Sequence, residues 1–397
     1  MKVLLFSDFG LPSSCANATR VISFAKAFKK IGYDVELLGV SYKNNNALSG
    51  SYDGINYSML QAGPWTHFQS YKRIRQLNYD IEAFLKDNSK EAKYDIIFLS
   101  NIYYDHAKVF LKYARKNGAK LIVNSVEWYD RNNTEFNGII GKIKLIKNRI
   151  ALRIIHVKMK NIVAISTLLG DYYKNRNCNT IVVPTIVDML QYKNVERDKT
   201  RDGKFGITIA YAGSPAKKDY VINAVKALEL LTADECAKIK IDFYGPTEQT
   251  LRSIGFTAEF CEKYKNNIVC HGRIPQEEVK NKIANSDFTI LLRPDKRYAN
   301  AGFPTKVGES MACGTPVIAN ITSDLGKYII DGKTGIVCDN ETPEACANAF
   351  RKAIALSAEQ HKSLSAASLE MANVAFNYES YVDPLKVFVE KGRYVNE

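Results

Sequence analysis

The chain has 397 residues, a formal net charge of +13, 46% hydrophobic and 24% charged residues. That length exceeds one ordinary core and the composition is that of a globular chain, so two domains are expected and a disordered or fibrous protein is excluded. Uncharged apolar runs such as 317–320 are too short to cross a bilayer, and the first residues carry no secretory-signal pattern, so a cytoplasmic location is expected.

Short β-branched runs alternate with helical patterns from the start: a strand at 2–6, an amphipathic helix at 16–31 and a strand at 34–40. Strands at 95–100, 119–124, 161–166 and 180–184 continue the series. Strands separated by helices imply a parallel sheet covered on both faces. The polar stretch 192–206 carries five Lys or Arg and few apolar residues, which makes 191–206 a linker. The α/β pattern then restarts, with strands at 207–212, 238–244, 267–271, 287–292 and 315–319. The last segment, 363–397, is helical and amphipathic. Two doubly wound α/β domains follow, 1–190 and 207–375, with 376–397 as a closing helix.

Eight cysteines show no Cys-x-x-Cys spacing and the five histidines are scattered, so no metal site or redox pair is expected. The positive charge points instead to a polyanionic partner: nucleic acid, an anionic membrane surface or a phosphorylated substrate. No nucleic-acid-binding module motif is present, which argues against the first.

Open parallel sheets bind ligands at the carboxyl ends of their strands, where helix N-termini present free N–H groups. Three loops fit. The first, 7–20, lacks the spaced glycines of a dinucleotide fingerprint, and no Walker lysine pattern occurs. In the second, Gly213 permits a turn, Ser214 can hydrogen-bond, and Lys217 and Lys218 stand near a helix start, where an anion would offset their clash with the macrodipole. Two solvated lysines are the plain alternative. In the third, Gly302-Phe303-Pro304 leads into a helix with Lys306 and Glu309. Lys306 can neutralise a phosphate, and Glu309 can accept two hydrogen bonds from a ribose diol. An intrahelical Lys306–Glu309 ion pair is the competing explanation.

The run Gly302-Phe303-Pro304-Thr305-Lys306-Val307-Gly308-Glu309, continuing to Ala319, resembles the donor-binding signature of the family-four glycosyltransferases. The resemblance extends over nearly the whole chain. Ser166, Pro184 and Asp188 match marked positions closing the first domain, and His271-Gly272-Arg273-Ile274-Pro275 is similar to the loop that cradles the nucleotide base. It implies the GT-B fold, two Rossmann-like domains facing across a cleft with a C-terminal helix crossing back to the first. It also implies retaining transfer of a sugar from a UDP- or GDP-sugar without a metal or other cofactor. The acceptor would be a glycan or a lipid-linked molecule in bacterial capsule, exopolysaccharide or lipopolysaccharide synthesis.

By that similarity Lys218 and Lys306 contact the phosphates, Glu309 holds the ribose, and Thr305 with the backbone after Gly302 completes the anion site. Glu127, Lys218 and Glu309 are the candidate catalytic groups. Ala16, Gly213, Ser214, Arg273, Ile274, Arg293, Asn300, Ala301, Gly302, Phe303, Thr305 and Lys306 join the nucleotide-sugar site. Four departures stand out. Ala301 replaces the family's second glutamate, with Asn300 as a substitute; Ser214 replaces an arginine whose charge Arg293 can supply; Cys15-Ala16 replaces paired glycines; and Glu127 stands where a histidine is common. Glu127 follows a strand, so it is expected to bind donor or acceptor hydroxyls or to take the acceptor's proton, with a surface residue beside a packed Trp128 as the alternative.

Between Glu135 and Asp171 the chain has no acidic residue, while Lys142, Lys144, Lys147, Arg149, Arg153, Lys158 and Lys160 interleave with isoleucines and Val157. Segment 142–160 is therefore expected to lie on an anionic membrane, placing the protein peripherally on the inner face of the plasma membrane. Two other functions share the sequence features: a nucleotide-sugar epimerase of the same architecture, and a catalytically silent binding subunit of a transferase.

Overall fold

Val3, Leu4, Leu5 and Phe6 are all fully buried, as a strand covered on both faces requires. The structure, a computed structural model, describes residues 1–11, 16–42, 48–62, 70–88, 93–100, 104–128, 138–195, 206–215 and 219–395. Contacts divide the chain into two compact units, Met1–Ile186 with Tyr378–Glu397, and Val187–Asn377. The division falls at 186/187, slightly before the expected boundary at 190. Val187 pairs with Asn377 in an isolated parallel bridge, and Tyr192 at the end of the Met189–Tyr192 turn is buried, which draws the start of the expected linker into the second unit.

The first unit holds β1 (Lys2–Ser7), β2 (Asp34–Ser41), β3 (Ser49–Tyr52), β4 (Ile55–Gln61), β5 (Ile96–Ser100), β6 (Lys120–Ser125), β7 (Asn161–Ala164) and β8 (Asn179–Val182). Their order is β3-β4-β2-β1-β5-β6-β7-β8, and neighbours run parallel except β3 against β4. That hairpin corrects the expectation of a purely parallel sheet. It turns on Asp53 and Gly54, both at positive φ, the Asp-Gly geometry whose twist matches paired strands. The helix Ala16–Ile31 covers one face, with Phe24 and Phe28 fully buried against Phe98.

The second unit holds β9 (Ile207–Ala212), β10 (Ile239–Tyr244), β11 (Ile268–Gly272), β12 (Phe288–Leu291), β13 (Val317–Asn320) and β14 (Gly335–Cys338), all parallel. Their order, β11-β10-β9-β12-β13-β14, is that of a doubly wound nucleotide-binding sheet. Strand order reverses between β9 and β12. At such a switch point the loops leave in opposite directions and open a crevice at the strands' carboxyl ends.

The amphipathic segment 363–397 spans the end of one helix and the whole of another. Ala358–Ala375 ends at Phe376, whose ring is fully buried against Tyr328 (4.9 Å) and Phe303 (5.8 Å). A short Tyr378–Tyr381 turn precedes the helix Val382–Glu390. That last helix belongs to the first unit: Leu385, Phe388 and Val389 join its core, and Lys120 and Asn179 donate to the carbonyls of Val389 and Phe388 at 3.0 Å. Among the described residues no helix is long and apolar enough to cross a membrane.

Candidate functional site

The loops leaving β9 and β12 carry the chemistry of the second unit. Gly213 follows β9 at φ +128°, a conformation other residues rarely adopt, and its amide donates to the Tyr244 carbonyl at 2.8 Å. A Cβ at Gly213 would sit 2.7 Å from Lys306 Cε, so the missing side chain is the space the lysine occupies. Arg293 follows β12. Its backbone N–H donates to Asn320 Oδ1 at 2.8 Å and its carbonyl accepts from Asn320 Nδ2 at 2.7 Å.

Asp219 joins these elements. Its Oδ1 accepts from Arg293 Nε at 3.0 Å, and its Oδ2 accepts from Lys306 Nζ and from the Tyr211 hydroxyl, the latter at 3.0 Å. Lys306 Nζ also donates to the Tyr211 oxygen at 2.7 Å and stands 4.2 Å from that ring's centre. The carboxylate is 5% exposed, against 15% for Arg293 and 26% for Lys306, so it lies behind both cations. Burial pushes the Asp219 carboxyl up, but Lys306, Arg293 and the hydrogen bonds outweigh it and leave it below its ordinary value. Burial lowers the Lys306 ammonium despite Asp219.

Lys306 and Glu309 sit on the helix Thr305–Ala312, which Pro304 opens without a side-chain cap. The ion pair of Lys306 is with Asp219, not with Glu309, which disposes of the intrahelical alternative. Glu309 lacks a hydrogen-bonding or ion-pairing partner among the described residues. Burial raises its carboxyl to about 6 against the opposing pull of Lys306 and Lys280. With Lys306, Ala212 and Leu291 it lines a cavity of about 20 Å³, the room of a single water. Lys280 stands 4.9 Å from the Tyr192 ring, and the Tyr192 hydroxyl is pushed up by its burial and by Glu309.

The remaining expected residues divide by environment. Phe303 is buried against Tyr328 at 5.5 Å, so only its backbone is available to a ligand. Ala301 is fully buried. The Asn300 amide braces its own loop, donating to Asp295 Oδ1 and accepting from the Ser323 amide, each at 2.6 Å, which leaves a single N–H for any sugar. Gly302 and Thr305 are partly exposed beside Lys306. Ser214 is exposed, and its carbonyl accepts from the Tyr211 hydroxyl at 3.1 Å. Arg273 is exposed and Ile274 half-buried just after β11. Lys217 and Lys218 lie outside the described residues, as does Cys15.

In the first unit Glu127 follows β6 and is half-buried, and the adjacent Trp128 packs edge-on to Tyr172 at 4.8 Å. Ala16 opens the helix Ala16–Ile31. The sequence reading passed over Asp8, which leaves β1 at the strand-order reversal between β1 and β5. It accepts from the Tyr42 hydroxyl, and burial raises its carboxyl to about 6. It also passed over Asp219, Tyr211, Lys280 and Asn320. Of these only Asp219 carried a local signal, an acid directly after two lysines in a phosphate-type loop.

Residues 193–370, somewhat less than half of the chain, match the family Glycosyl transferases group 1. An uncharacterized glycosyltransferase of Methanocaldococcus jannaschii is 23% identical over 266 residues, 65% of this chain and 65% of that protein. The chain thus spans just under two thirds of that relative's length. Sucrose-phosphate synthase of Thermosynechococcus elongatus superposes with a TM-score of 0.73 at 15% identity, covering 98% of both chains. Anabaena HepE, solved in complex with UDP and glucose, gives 0.67 at 13% identity over 98% of this chain and 99% of that one. Likeness at this level of identity establishes the fold: the chain has the GT-B fold, and its similarity to the group 1 glycosyl transferases lies in residues 193–370.

Proposed function

We propose that the protein is a metal-independent, retaining glycosyltransferase that moves a sugar from a UDP- or GDP-sugar to a glycan or lipid-linked acceptor in bacterial surface-polysaccharide synthesis. Glu309 carries the reading. A half-buried carboxylate with no described protein partner, on the same helix as a phosphate-type lysine and at a switch point, suits a ribose diol. Arg293 and Lys306, with the uncapped amides at the Thr305 end of the helix, would take the diphosphate. As the glycosidic bond breaks, charge grows on that diphosphate, and fixed donors stabilise it more in the transition state than in the ground state. The HepE complex with UDP and glucose supports a uridine nucleotide. Glu127 is assigned to donor or acceptor hydroxyls.

A panel of UDP- and GDP-sugars tests this directly. With a suitable acceptor, one donor is expected to release nucleoside diphosphate and give a product of unchanged anomeric configuration by NMR, with full activity in EDTA. Inversion, or loss of activity on chelation, would refute the corresponding part of the proposal. Interconversion of the donor sugar alone would make the protein an epimerase.

The membrane part of the proposal has its own support. The helix Gly138–Ile150 runs through a π-helical turn, Ala151–Ile155, into His156–Met159. Along it Ile143, Ile146 and Ile154 are about half exposed, flanked by exposed Lys142, Lys144, Arg153 and Lys158. Apolar side chains beside cations suit an anionic bilayer surface, each cation adding about 1 kcal/mol. The protein is expected to sediment with phosphatidylglycerol-containing vesicles at low salt and to be released by high salt. Lys142→Glu, Lys144→Glu and Arg153→Glu together should abolish the binding. Indifference of the wild type to the vesicles would remove the membrane from the proposal.

A further inference from the structure

We infer that Asp219 is a positioning residue that holds Arg293 and Lys306 as one preformed pair of phosphate ligands. The inference rests on the donor-site reading above. Three observations carry it. The carboxylate divides its oxygens, Oδ1 to Arg293 and Oδ2 to Lys306, so a single group sets the spacing of both cations. It is also the least exposed of the three, so a ligand arriving from solvent meets the cations first. And the donors it leaves unspent are the ones a diphosphate needs. Arg293 gives Asp219 only its Nε, so its two amino ends have no partner among the described residues. Lys306 gives one N–H to Asp219 and one to Tyr211, which leaves the third.

The loop carrying Asp219 is itself anchored. The Tyr220 amide donates to the Leu292 carbonyl at 2.8 Å, tying Asp219 to the residue before Arg293. Asn320 clamps the Arg293 backbone from the other side through both its N–H and its carbonyl. The Tyr211 hydroxyl, shared among Asp219, Lys306 and the Ser214 carbonyl, closes the network. Long cationic side chains lose rotamer freedom when they grip a ligand, and a site that has already fixed them binds more tightly for the same contacts. One buried negative charge between two positive ones leaves a net positive site, so holding the pair does not neutralise it for a diphosphate. This is also how a chain with Ser214 at the family's arginine position can present two ordered cations.

The test is calorimetric titration of the full chain with UDP and with GDP. Asp219→Asn keeps the shape and removes the charge, and is expected to weaken binding about tenfold or more, the scale of a lost charge-assisted hydrogen bond. Because the loss runs through the cations, it should not add to that of Arg293→Met: the double variant is expected within about twofold of the weaker single one. Equal or tighter binding by Asp219→Asn would make the carboxylate a competitor of the phosphate, not its organiser. Fully additive losses would reduce it to general scaffolding. Either result overturns the inference while leaving the donor site standing. A wild type that binds neither nucleotide overturns both. Should Asp219→Asn fail to fold by circular dichroism, Asp219→Glu, which keeps the charge and shifts the spacing, takes its place in the same cycle with the same expected loss.

Discussion

Replacing Glu309 with glutamine is expected to stabilise the protein above neutral pH and to abolish most of its activity. The Glu309 carboxyl is raised by burial to about 6 from an ordinary 4.5, so the folded chain holds that proton more tightly than the unfolded one. Its contribution to stability is fully present below the unfolded value and is lost as pH rises through about 6. At pH 8 the ionised side chain therefore costs about 2 kcal/mol, at ~1.4 kcal/mol per pKa unit. Glutamine has the same shape and no charge to desolvate, so denaturant melts at pH 8 should show the variant more stable by about that amount, and at pH 4 no difference. The activity change runs the other way. A carboxylate accepting two ribose hydroxyls makes two charge-assisted bonds of about 1.5–3 kcal/mol each, so kcat/KM should fall on the order of 10²–10³. The wild-type donor KM should rise as pH falls through about 6, and that of the variant should stay flat. Stability and activity moving in opposite directions is the behaviour of a binding site; a variant less stable at pH 8 with ordinary kinetics would make Glu309 a structural residue.

How far the site could be read in advance depended on whether each group sits where pattern alone places it. The helix Ala16–Ile31 and the strand Ile207–Ala212 have the bounds that periodicity predicts, because each is a long run of one period between clear breakers. β3 was not legible: Ser-Gly-Ser-Tyr is polar and mostly exposed, and it is a strand only because the Asp53-Gly54 turn folds it onto β4. β14, Gly-Ile-Val-Cys at the sheet edge, was also not singled out, although β7, β8, β12 and β13 are equally four residues long and were. The aromatic packing of Phe376 was hidden because its partners, Phe303 and Tyr328, are far away in sequence. The site divides in the same way. Arg293 stands in the loop that leaves β12, and Lys306 and Glu309 on a helix further along the same stretch, so the strand end singles them out. The role of Asp219 is tertiary, since β9 and β12 are neighbours in the sheet while Asp219, Arg293 and Lys306 are scattered along the chain. Lys306 and Glu309 three apart read as an ion pair locally, and only the sheet order brings Asp219 to claim the lysine.

Lys306→Ala is expected to reduce kcat far more than it raises KM. The ammonium is placed to meet the further negative charge that the diphosphate gains as it departs, beyond the charge it already carries in the bound sugar nucleotide, so the part of its contribution that answers this gain belongs to the transition state. Loss of one such donor lowers the rate by roughly 10²–10³. Stability should suffer less than for a broken buried pair, which costs about 3–5 kcal/mol. Asp219 keeps Arg293 Nε and the Tyr211 hydroxyl, so its charge remains compensated. Arginine at 306 is not expected to restore the rate. The lysine stem runs against the Gly213 backbone, where even a Cβ would come within 2.7 Å of Cε, and a guanidinium is broader and fixes its N–H groups in one plane, whereas the Lys306 ammonium can rotate to meet both Asp219 and Tyr211. Steady-state kinetics with saturating acceptor separate the cases. A raised KM with unchanged kcat would mean that Lys306 holds ground and transition states alike and that the leaving group is stabilised elsewhere. Full rescue by arginine would mean that charge alone is needed there, without the geometry that Gly213 and Asp219 impose.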